Sequence, residues 1–575
     1  MEYVIEEVAS RNGLATLKLN GLFLHSKYDP KIEAQRIAEK KYKAHHTHII
    51  FGYGLGYIVD ELLEIIKEEH ILIIDPLIEK KQIQLQKKHE KHKKIVYWEP
   101  CQPNTLAYTI ADIADGLELK INVICGINYE HLFQKEYHEI LRYLRDFQNK
   151  TQINKNTVVF FAKQWQKNLT KNLLNIVNDE SLSVLQNRFD LPVVIASGGP
   201  SLTKQLSLLK EIEKHVIIIA AGSTINSLLA AGIEPDFVVS IDGGEPNYNH
   251  FKDLKCKNTR LIYSTFNHYG IRDVFTKRAY VFAALKQGSI VNYLNKNIAK
   301  NLPMVVGGGT VAHFAYSIAH LFNSGPVTMI GQDLAYTNNQ THANNNKHTQ
   351  KVEKLEELNI DLITTEGYYG EEVLTSKSFH SMKMTFEEIV RFHKPEVPTF
   401  NSTEGGIKIK GLEQLSFKEF AERYVDFKKI KNLSILDETI DQKNSQVIIK
   451  QVFETELDRI SKLKRFLQEA LDTLKRNSST NHFDKNTLKK LDKIDKKIAK
   501  LSKEVLIHFL IEPITIEVET CFLEQQNETK KDAFKRIYNQ SRVLYERLMK
   551  ALDTSNENIV EILQQLKDER EKNNE

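Results

Sequence analysis

Three rhythms of apolar and polar positions run along this chain. In the stretch 192–246, β-branched apolar runs at 192–196, 216–221 and 237–241 alternate with glycine-bearing turns, and Leu202, Leu206, Leu209 and Ile212 share one helical face between the first two. Strand, helix and strand in that order predict a βαβ unit, with a short helix leading to Gly232 before the third strand. The same rhythm occurs earlier: strands at 47–51 and 71–74 flank a helix ending near residue 67, and 95–100 and 121–125 continue the series. It resumes later with strands at 260–265, 278–282 and 327–330 and a largely apolar helix from 310 to 321. Residues 155–185 read as helix, in which Phe160, Phe161, Trp165, Leu169, Leu173, Leu174 and Ile176 form a stripe read as core. From about residue 416 the chain is charged and free of glycine, with helical periodicity at 452–474, 485–503 and 537–566, and Pro513 interrupts a helix at a connection.

These rhythms predict an α/β protein with two Rossmann-like parallel-sheet domains and a C-terminal all-α domain. The expected boundaries are 1–150 for the first sheet domain, 151–190 for a helical linker, 191–412 for the second sheet domain and 413–575 for the helices. Residues 15–19 alternate as a strand does. Asp29 before Pro30 marks a helix start, a capping carboxylate followed by a proline where its missing N–H costs nothing, and His25 and Tyr28 are read as fixing the loop that introduces it.

Composition narrows the class. With 27% charged and 41% hydrophobic residues the chain is an ordinary globular protein, and a formal charge of +4 over 575 residues gives no general case for nucleic acid. No apolar run approaches a membrane span, and MEYVIEEVAS carries acids where a signal peptide needs a basic flank, so a cytoplasmic location is expected. Cys101, Cys125, Cys256 and Cys521 show no C-x-x-C pair and no zinc spacing, and are read as reduced packing residues.

Candidate chemistry gathers at strand ends. The turn Ser197-Gly198-Gly199-Pro200-Ser201 precedes a helix, Ser223-Thr224 follows the second strand, and Asp242-Gly243-Gly244 follows the third. Glycines, hydroxyls and a carboxylate thus reach the carboxyl ends of parallel strands, where an open sheet binds its ligand. A nucleotide is expected there, its phosphate held by backbone N–H groups and a helix N-terminus. The turn is neither a Walker A loop nor the G-x-G-x-x-G fingerprint, and a plain strand-to-helix turn is the alternative. Gly52, Gly54 and Gly56 with Asp75 at the next strand end suit a nucleoside in the first domain, as also in adenosylmethionine-dependent methyltransferases, but no methyl-acceptor motif follows; a structural or acceptor-docking role is expected.

Ser197-Gly198-Gly199-Pro200-Ser201-Leu202, then Gly232-Ile233-Glu234-Pro235-Asp236 and Ser240-Ile241-Asp242, resemble the signature of the motility accessory factor (Maf) family, flagellin glycosyltransferases whose catalytic domain is similar to bacterial sialyltransferases. Gly307-Gly308-Gly309-Thr310, Ile330-Gly331-Gln332-Asp333-Leu334-Ala335-Tyr336 and Asn401-Ser402-Thr403-Glu404-Gly405-Gly406 extend the resemblance, which covers roughly residues 20–412. It implies a sialyltransferase-like fold for 191–412 and a cytidine monophosphate (CMP) sugar donor. It also implies donor contacts from Ser197, Gly198, Gly199, Pro200, Ser201, Ser223, Thr224, Asp242, Gln332 and Asp333. Gly308, Gly309 and Thr310 join them beside the donor's phosphate and carboxylate, Thr310 having a helix cap as its alternative role, and Glu404 lies near the cytidine.

Glycosyl transfer to a hydroxyl needs a base for the acceptor proton and stabilisation of the departing phosphate. Histidine suits the base, and His342, His348 and His380 are candidates. The resemblance points to His380, before a helix at 385–393, and to Tyr336 at the leaving phosphate, with His342 as the other base. The polar stretch 337–350 reads as a lid or acceptor loop. No cofactor is expected; Asp242, Asp333 and Glu404 as a divalent-metal site is the disfavoured alternative. The resemblance implies transfer of a nonulosonic acid, pseudaminic or legionaminic, from CMP to flagellin Ser or Thr, with flagellin and the CMP-sugar as partners. A non-enzymatic flagellin-binding factor and a pterin pyrophosphokinase-like transferase are the alternatives.

Overall fold

Runs of four or five β-branched residues bounded by turns are too short for helices and can bury both faces, so they pair as central parallel strands. The computed structural model describes residues 3–574 other than 68, 80–87, 99–105, 107–108, 111–112, 114–119, 286, 338–339, 347–361, 394–396, 437–444, 479–481, 503–505, 507 and 523–527. His348 and Cys101 lie outside the described residues. Two compact units result, Met1–Phe160 and Phe161–Glu575.

In the first unit β1 (Ile5–Ala9), β2 (Ala15–Leu19) and β3 (Leu22–Phe23) form an antiparallel sheet, and α1 (Pro30–Lys41) follows, capped by the Asp29 carboxylate, which accepts from Lys31 N and Ile32 N. A parallel sheet in the order β6–β5–β4–β7 is made by β4 (Thr47–Phe51), β5 (Ile71–Ile74), β6 (Ile95–Trp98) and β7 (Ile121–Cys125). Helix α2 (Tyr57–Leu63) follows β4 and α3 (Pro76–Glu79) follows β5, and the short α4 (Tyr129–Leu132) leads to α5 (Gln134–Asn178), longer than the linker helix expected at 155–185.

The glycine loop after β4 is filled by this unit's own side chains. Tyr53 N and Gly54 N donate to Asp75 Oδ2 at 2.6 and 3.3 Å, the Tyr129 hydroxyl donates to the same oxygen at 2.8 Å, and Leu55 N donates to His25 Nε2 at 2.9 Å. Burial brings the His25 imidazole down to about 4, which keeps that nitrogen an acceptor. His25 therefore fixes the glycine loop; the loop before α1 is held by Ser26 Oγ, which accepts from Tyr28 N and Asp29 N. The role expected of His25 in the loop before α1 is corrected, since its ring bonds a residue 30 positions away in sequence.

The second unit contains one ten-stranded parallel sheet. Its strands are β8 (Glu180–Ser181), β9 (Val193–Ala196), β10 (Ile217–Ala221), β11 (Phe237–Ser240), β12 (Arg260–Ser264), β13 (Tyr280–Ala284), β14 (Met304–Val305), β15 (Val327–Ile330), β18 (Thr399–Asn401) and β19 (Glu413–Gln414). They run in the order β14–β13–β12–β11–β10–β9–β15–β18–β19, with β8 beside β13. The winding reverses between β9 and β15, the crevice where doubly wound sheets bind ligands. An antiparallel hairpin, β16 (Leu362–Glu366) and β17 (Glu372–Ser376), stands off the sheet.

Alternate strand residues build two cores. One face carries Val194, Ala196, Ile218, Ala220 and Val238 under α6 (Leu202–Ile212) and α7 (Thr224–Ala230). The other carries Val193, Ile195, Ile217, Ile219 and Val239. The connections after β11 and β13 hold α8 (Glu245–Phe251) and α9 (Gly288–Ile298); α10 (Val311–Phe322) and α11 (Lys377–His393) cover the second face. Beyond α12 (Phe417–Tyr424), the C-terminal helices α13 (Ser445–Arg476), α14 (Lys485–Ser502), α15 (His508–Cys521) and α16 (Lys530–Asn574) join the first core through Ile449, Phe453, Ile460, Leu491, Leu552 and Ile559. Buried Gln166 on α5 closes this arrangement by donating Nε2 to Ser555 Oγ on α16 at 2.8 Å. Pro513 sits inside α15 and not at a connection; the missing N–H removes one helical bond without ending the helix.

Candidate functional site

The reversal between β9 and β15 places two loops side by side. Residue Gly331 follows β15 beside Ser197, which follows β9, and the turn 197–201 folds against this neighbour: Ser197 N donates to Ile330 O and Gly199 N to Gly331 O at 2.9 and 2.8 Å. A Cβ on Gly199 would collide with the Asp333 carboxylate, so glycine is required for that approach.

Asp333 then takes the position expected of the phosphate. Its buried carboxylate accepts from Ser201 N at 3.3 and 3.2 Å and from Ser201 Oγ at 2.6 Å, at the N-terminus of α6. Burial raises its pKa, against the hydrogen bonds from Ser201 and Thr337. With Ser197, Gly199 and Ser201 N–H groups bonded inside the protein and Pro200 lacking one, Gly198 N is the donor this turn leaves open among the described residues. The expectation that the whole turn 197–201 cradles phosphate through its amides is corrected: an internal carboxylate already satisfies the helix end, as an anion there would.

Gly198 instead borders a polar cluster drawn from three loops. Its Cβ position is 3.0 Å from Asn346 Nδ2, 3.2 Å from Thr224 Oγ1 and 3.7 Å from His342 Cδ2. Ala343 N donates to Gly198 O at 2.9 Å, Asn344 N to Thr203 Oγ1 at 3.2 Å, and Asn346 Nδ2 lies 3.5 Å from Ser223 Oγ. Residues 340–346 of the polar stretch thus lie over the ends of β9 and β10. Asn346 was missed in the sequence, where it is one of several asparagines in a row; only the pairing of this segment with Gly198 singles it out.

Several polar groups at the crevice are buried. Ser197 Oγ and Gln332 Oε1 are buried without a hydrogen-bond partner among the described residues, while Gln332 N donates to Thr403 Oγ1 at 3.1 Å. Buried polar atoms left this way are costly in a closed interior, and these two sit at adjacent strand ends.

The loop before α10 approaches the end of β10: a Cβ on Gly222 would touch Val311 at 3.3 Å. Thr310 is the N-cap of α10, accepting from His313 N at 3.4 Å; Gly308 packs against Thr385 and His313, and the position of Gly309 is open. Glu404 accepts from Phe417 N at 3.1 Å, at the start of α12, whose N-cap is Ser416 in a capping box with Glu419. Asp242, after the end of β11, is exposed, yet partial desolvation raises its pKa. Asp242, Asp333 and Glu404 do not converge, and the described residues hold no trio of His, Cys, Asp or Glu placed for a metal ion.

Tyr336 is half-buried, with its ring 5.4 Å from that of Phe379. Helix α11 begins at Lys377, earlier than the 385–393 expected, because Ser376 Oγ accepts from Phe379 N at 3.1 Å and starts it. His380 therefore lies in the first turn of α11, half-buried, with its pKa lowered by burial and by Lys383, against the pull of Glu387. His342 lies at Gly198, and His380 lies one residue from the Phe379 ring that meets Tyr336.

Comparison with known proteins covers the chain at two levels. A family described as 6-hydroxymethylpterin diphosphokinase MptE-like matches residues 167–339. An uncharacterized protein of Treponema pallidum (strain Nichols) is 23% identical over 222 residues, which is 36% of this chain and 73% of that protein. The solved structure of a Maf glycosyltransferase from Magnetospirillum magneticum AMB-1 superposes with a TM-score of 0.58 at 14% identity, covering 98% of this chain and 93% of that one. The chain has the fold of that Maf glycosyltransferase along nearly its whole length, so the resemblance read from the glycine turns holds at the level of the fold. Among the described residues no helix is long and apolar enough to cross a membrane.

Proposed function

We propose that this protein is a glycosyltransferase that moves a nonulosonic acid, pseudaminic or legionaminic, from its CMP-activated donor to Ser or Thr hydroxyls of flagellin. The reading rests on the polar cluster of Gly198, Thr224, His342 and Asn346 at the switch point of the sheet. Its likeness to a Maf glycosyltransferase fold supports the chemistry. Gly198 N and the Ser223 hydroxyl border the space for the donor, and Gln332 and Ser197 supply buried acceptors beside it. Tyr336 would stabilise charge on the departing phosphate. His380, whose pKa is lowered by burial and by Lys383, would take the acceptor proton; His342 is the other candidate.

The test is transfer itself: incubation with CMP-pseudaminic acid or CMP-legionaminic acid and unmodified flagellin, read as glycan mass on flagellin and as CMP released. Release of CMP with matching glycan addition is expected; neither product, from protein that binds CMP, would leave a flagellin-binding factor. The MptE-like match over 167–339 favours one second reading, a pterin diphosphokinase-like transferase. Calorimetric titration separates the two, since tighter binding of ATP than of CMP would carry that reading instead.

A further inference from the structure

The sheet of the second unit has a second recess, of about 420 Å³, at the amino ends of β11 and β12, away from the strand ends that carry the candidate site. Its lining brings together Lys210, Lys214, Arg260, Lys277 and Lys431 with the carboxylates of Glu213, Glu234 and Asp236. Five cations face three anions, and each anion is already engaged. Glu213 pairs with Lys210 at 2.8 Å, and Asp236 is clamped by Lys431 at 2.8 Å and by Ile218 N at 2.8 Å. Glu234 is partly buried, which opposes its charge, yet N–H groups of Asn258, Lys257 and Thr259 outweigh that and hold it below the usual carboxylate range.

The cationic wall is built in advance. Arg260 is 3% exposed, and its guanidinium is aimed by donating NH1 to Asn258 O at 3.2 Å and NH2 to Leu433 O at 3.0 Å. The segment through Lys431 and Leu433 is itself tied across the recess, with Lys431 N donating to Lys214 O at 2.9 Å. Lys214 Nζ stands at the rim with no partner among the described residues. A fixed, buried guanidinium with exposed and half-buried lysines around it is the donor set that recognises phosphate oxygens.

We propose that this recess binds a compact anion of the phosphate class, pyrophosphate or the phosphate of a small monoester, independently of the site at the strand carboxyl ends. The test is calorimetric titration of the full chain with pyrophosphate and with inorganic phosphate, alone and with saturating CMP. One pyrophosphate per chain, undisturbed by CMP, is expected. Affinity should fall about tenfold or more in Lys214→Ala/Lys277→Ala, about as much in the single rim variant Lys214→Glu, and stay near wild type in Lys214→Arg/Lys277→Arg. No pyrophosphate binding by the wild type, undiminished binding by both Lys214→Glu and the double alanine variant, or displacement by CMP would each overturn it. CMP binding in the same titrations reports separately on the candidate active site.

Discussion

Asp333 shows how one residue decides what a glycine turn can do. Its carboxylate sits where a ligand anion was expected, held by Ser201 N and Oγ. Ser201→Ala removes the hydroxyl donor and leaves a buried acceptor short of a bond, so a loss of about 1–3 kcal/mol in urea unfolding is expected. Burial sets the pH sign. A carboxyl whose folded pKa is raised binds its proton more tightly when folded, so stability falls as pH climbs from the ordinary aspartate value through the higher folded value. Asp333→Asn should flatten that part of the stability profile; an unchanged slope would mean that the carboxyl is not the group titrating. At the proposed base the shift runs the other way: burial and Lys383 lower the His380 pKa. The acid limb of kcat/KM should therefore lie below the ordinary histidine value, and His380→Ala should cut transfer by about 10²–10⁴-fold with CMP binding intact. Near-normal turnover in that variant would pass the role to His342, whose own alanine variant would then show the loss. The chemistry of these side chains was legible in the sequence, but the pairing of Ser201 with Asp333 spans 132 residues and no local pattern announces it.

At the level of elements, the two glycines of the turn do different jobs. A Cβ at Gly199 meets the Asp333 carboxylate and the Gly331 carbonyl, rigid parts of the adjoining β15 loop. Gly199→Ala should cost about 1–3 kcal/mol of stability, as overpacking does. A Cβ at Gly198 meets the far ends of Asn346, Thr224 and His342, which can move. Gly198→Ala should keep nearly wild-type stability while weakening CMP binding in a titration; the reverse pattern would show that the cluster is packing and not a site. The strands were easy to read because apolar runs such as 193–196 and 327–330 end abruptly at glycine or proline. Hairpin β16–β17 was not read: its apolar residues are half-buried or exposed and its two buried residues, Thr375 and Ser376, are polar, so no apolar face stands out. The start of α11 was missed for a related reason, since its first turn, Lys377-Ser378-Phe379-His380, is mostly polar and its one signal is the capping Ser376.

On the scale of the whole molecule, the sheet domain and the C-terminal helices share a core. Ile218 in β10 and Leu467 in α13 belong to the same buried cluster, whereas Ile73 belongs to the first unit. Calorimetry should show Ile218→Ala and Leu467→Ala lowering one and the same transition, each by about 2–5 kcal/mol, with Ile73→Ala acting on another. Separate transitions for Ile218 and Leu467 would mean that the helices fold on their own. The change of character near residue 416 was legible, but the packing of these helices against the sheet core was not, because glycine-free amphipathic helices look alike whether they pack on one another or on a sheet.

The bond from Gln166 to Ser555 joins residues 389 apart. At a synthesis rate of about 5–20 residues per second, the ribosome needs roughly 20–80 s between making the first partner and the second. For that interval the first core lacks the side chains that the C-terminal helices bring to it, and this chain should lean on chaperones until its last helix emerges.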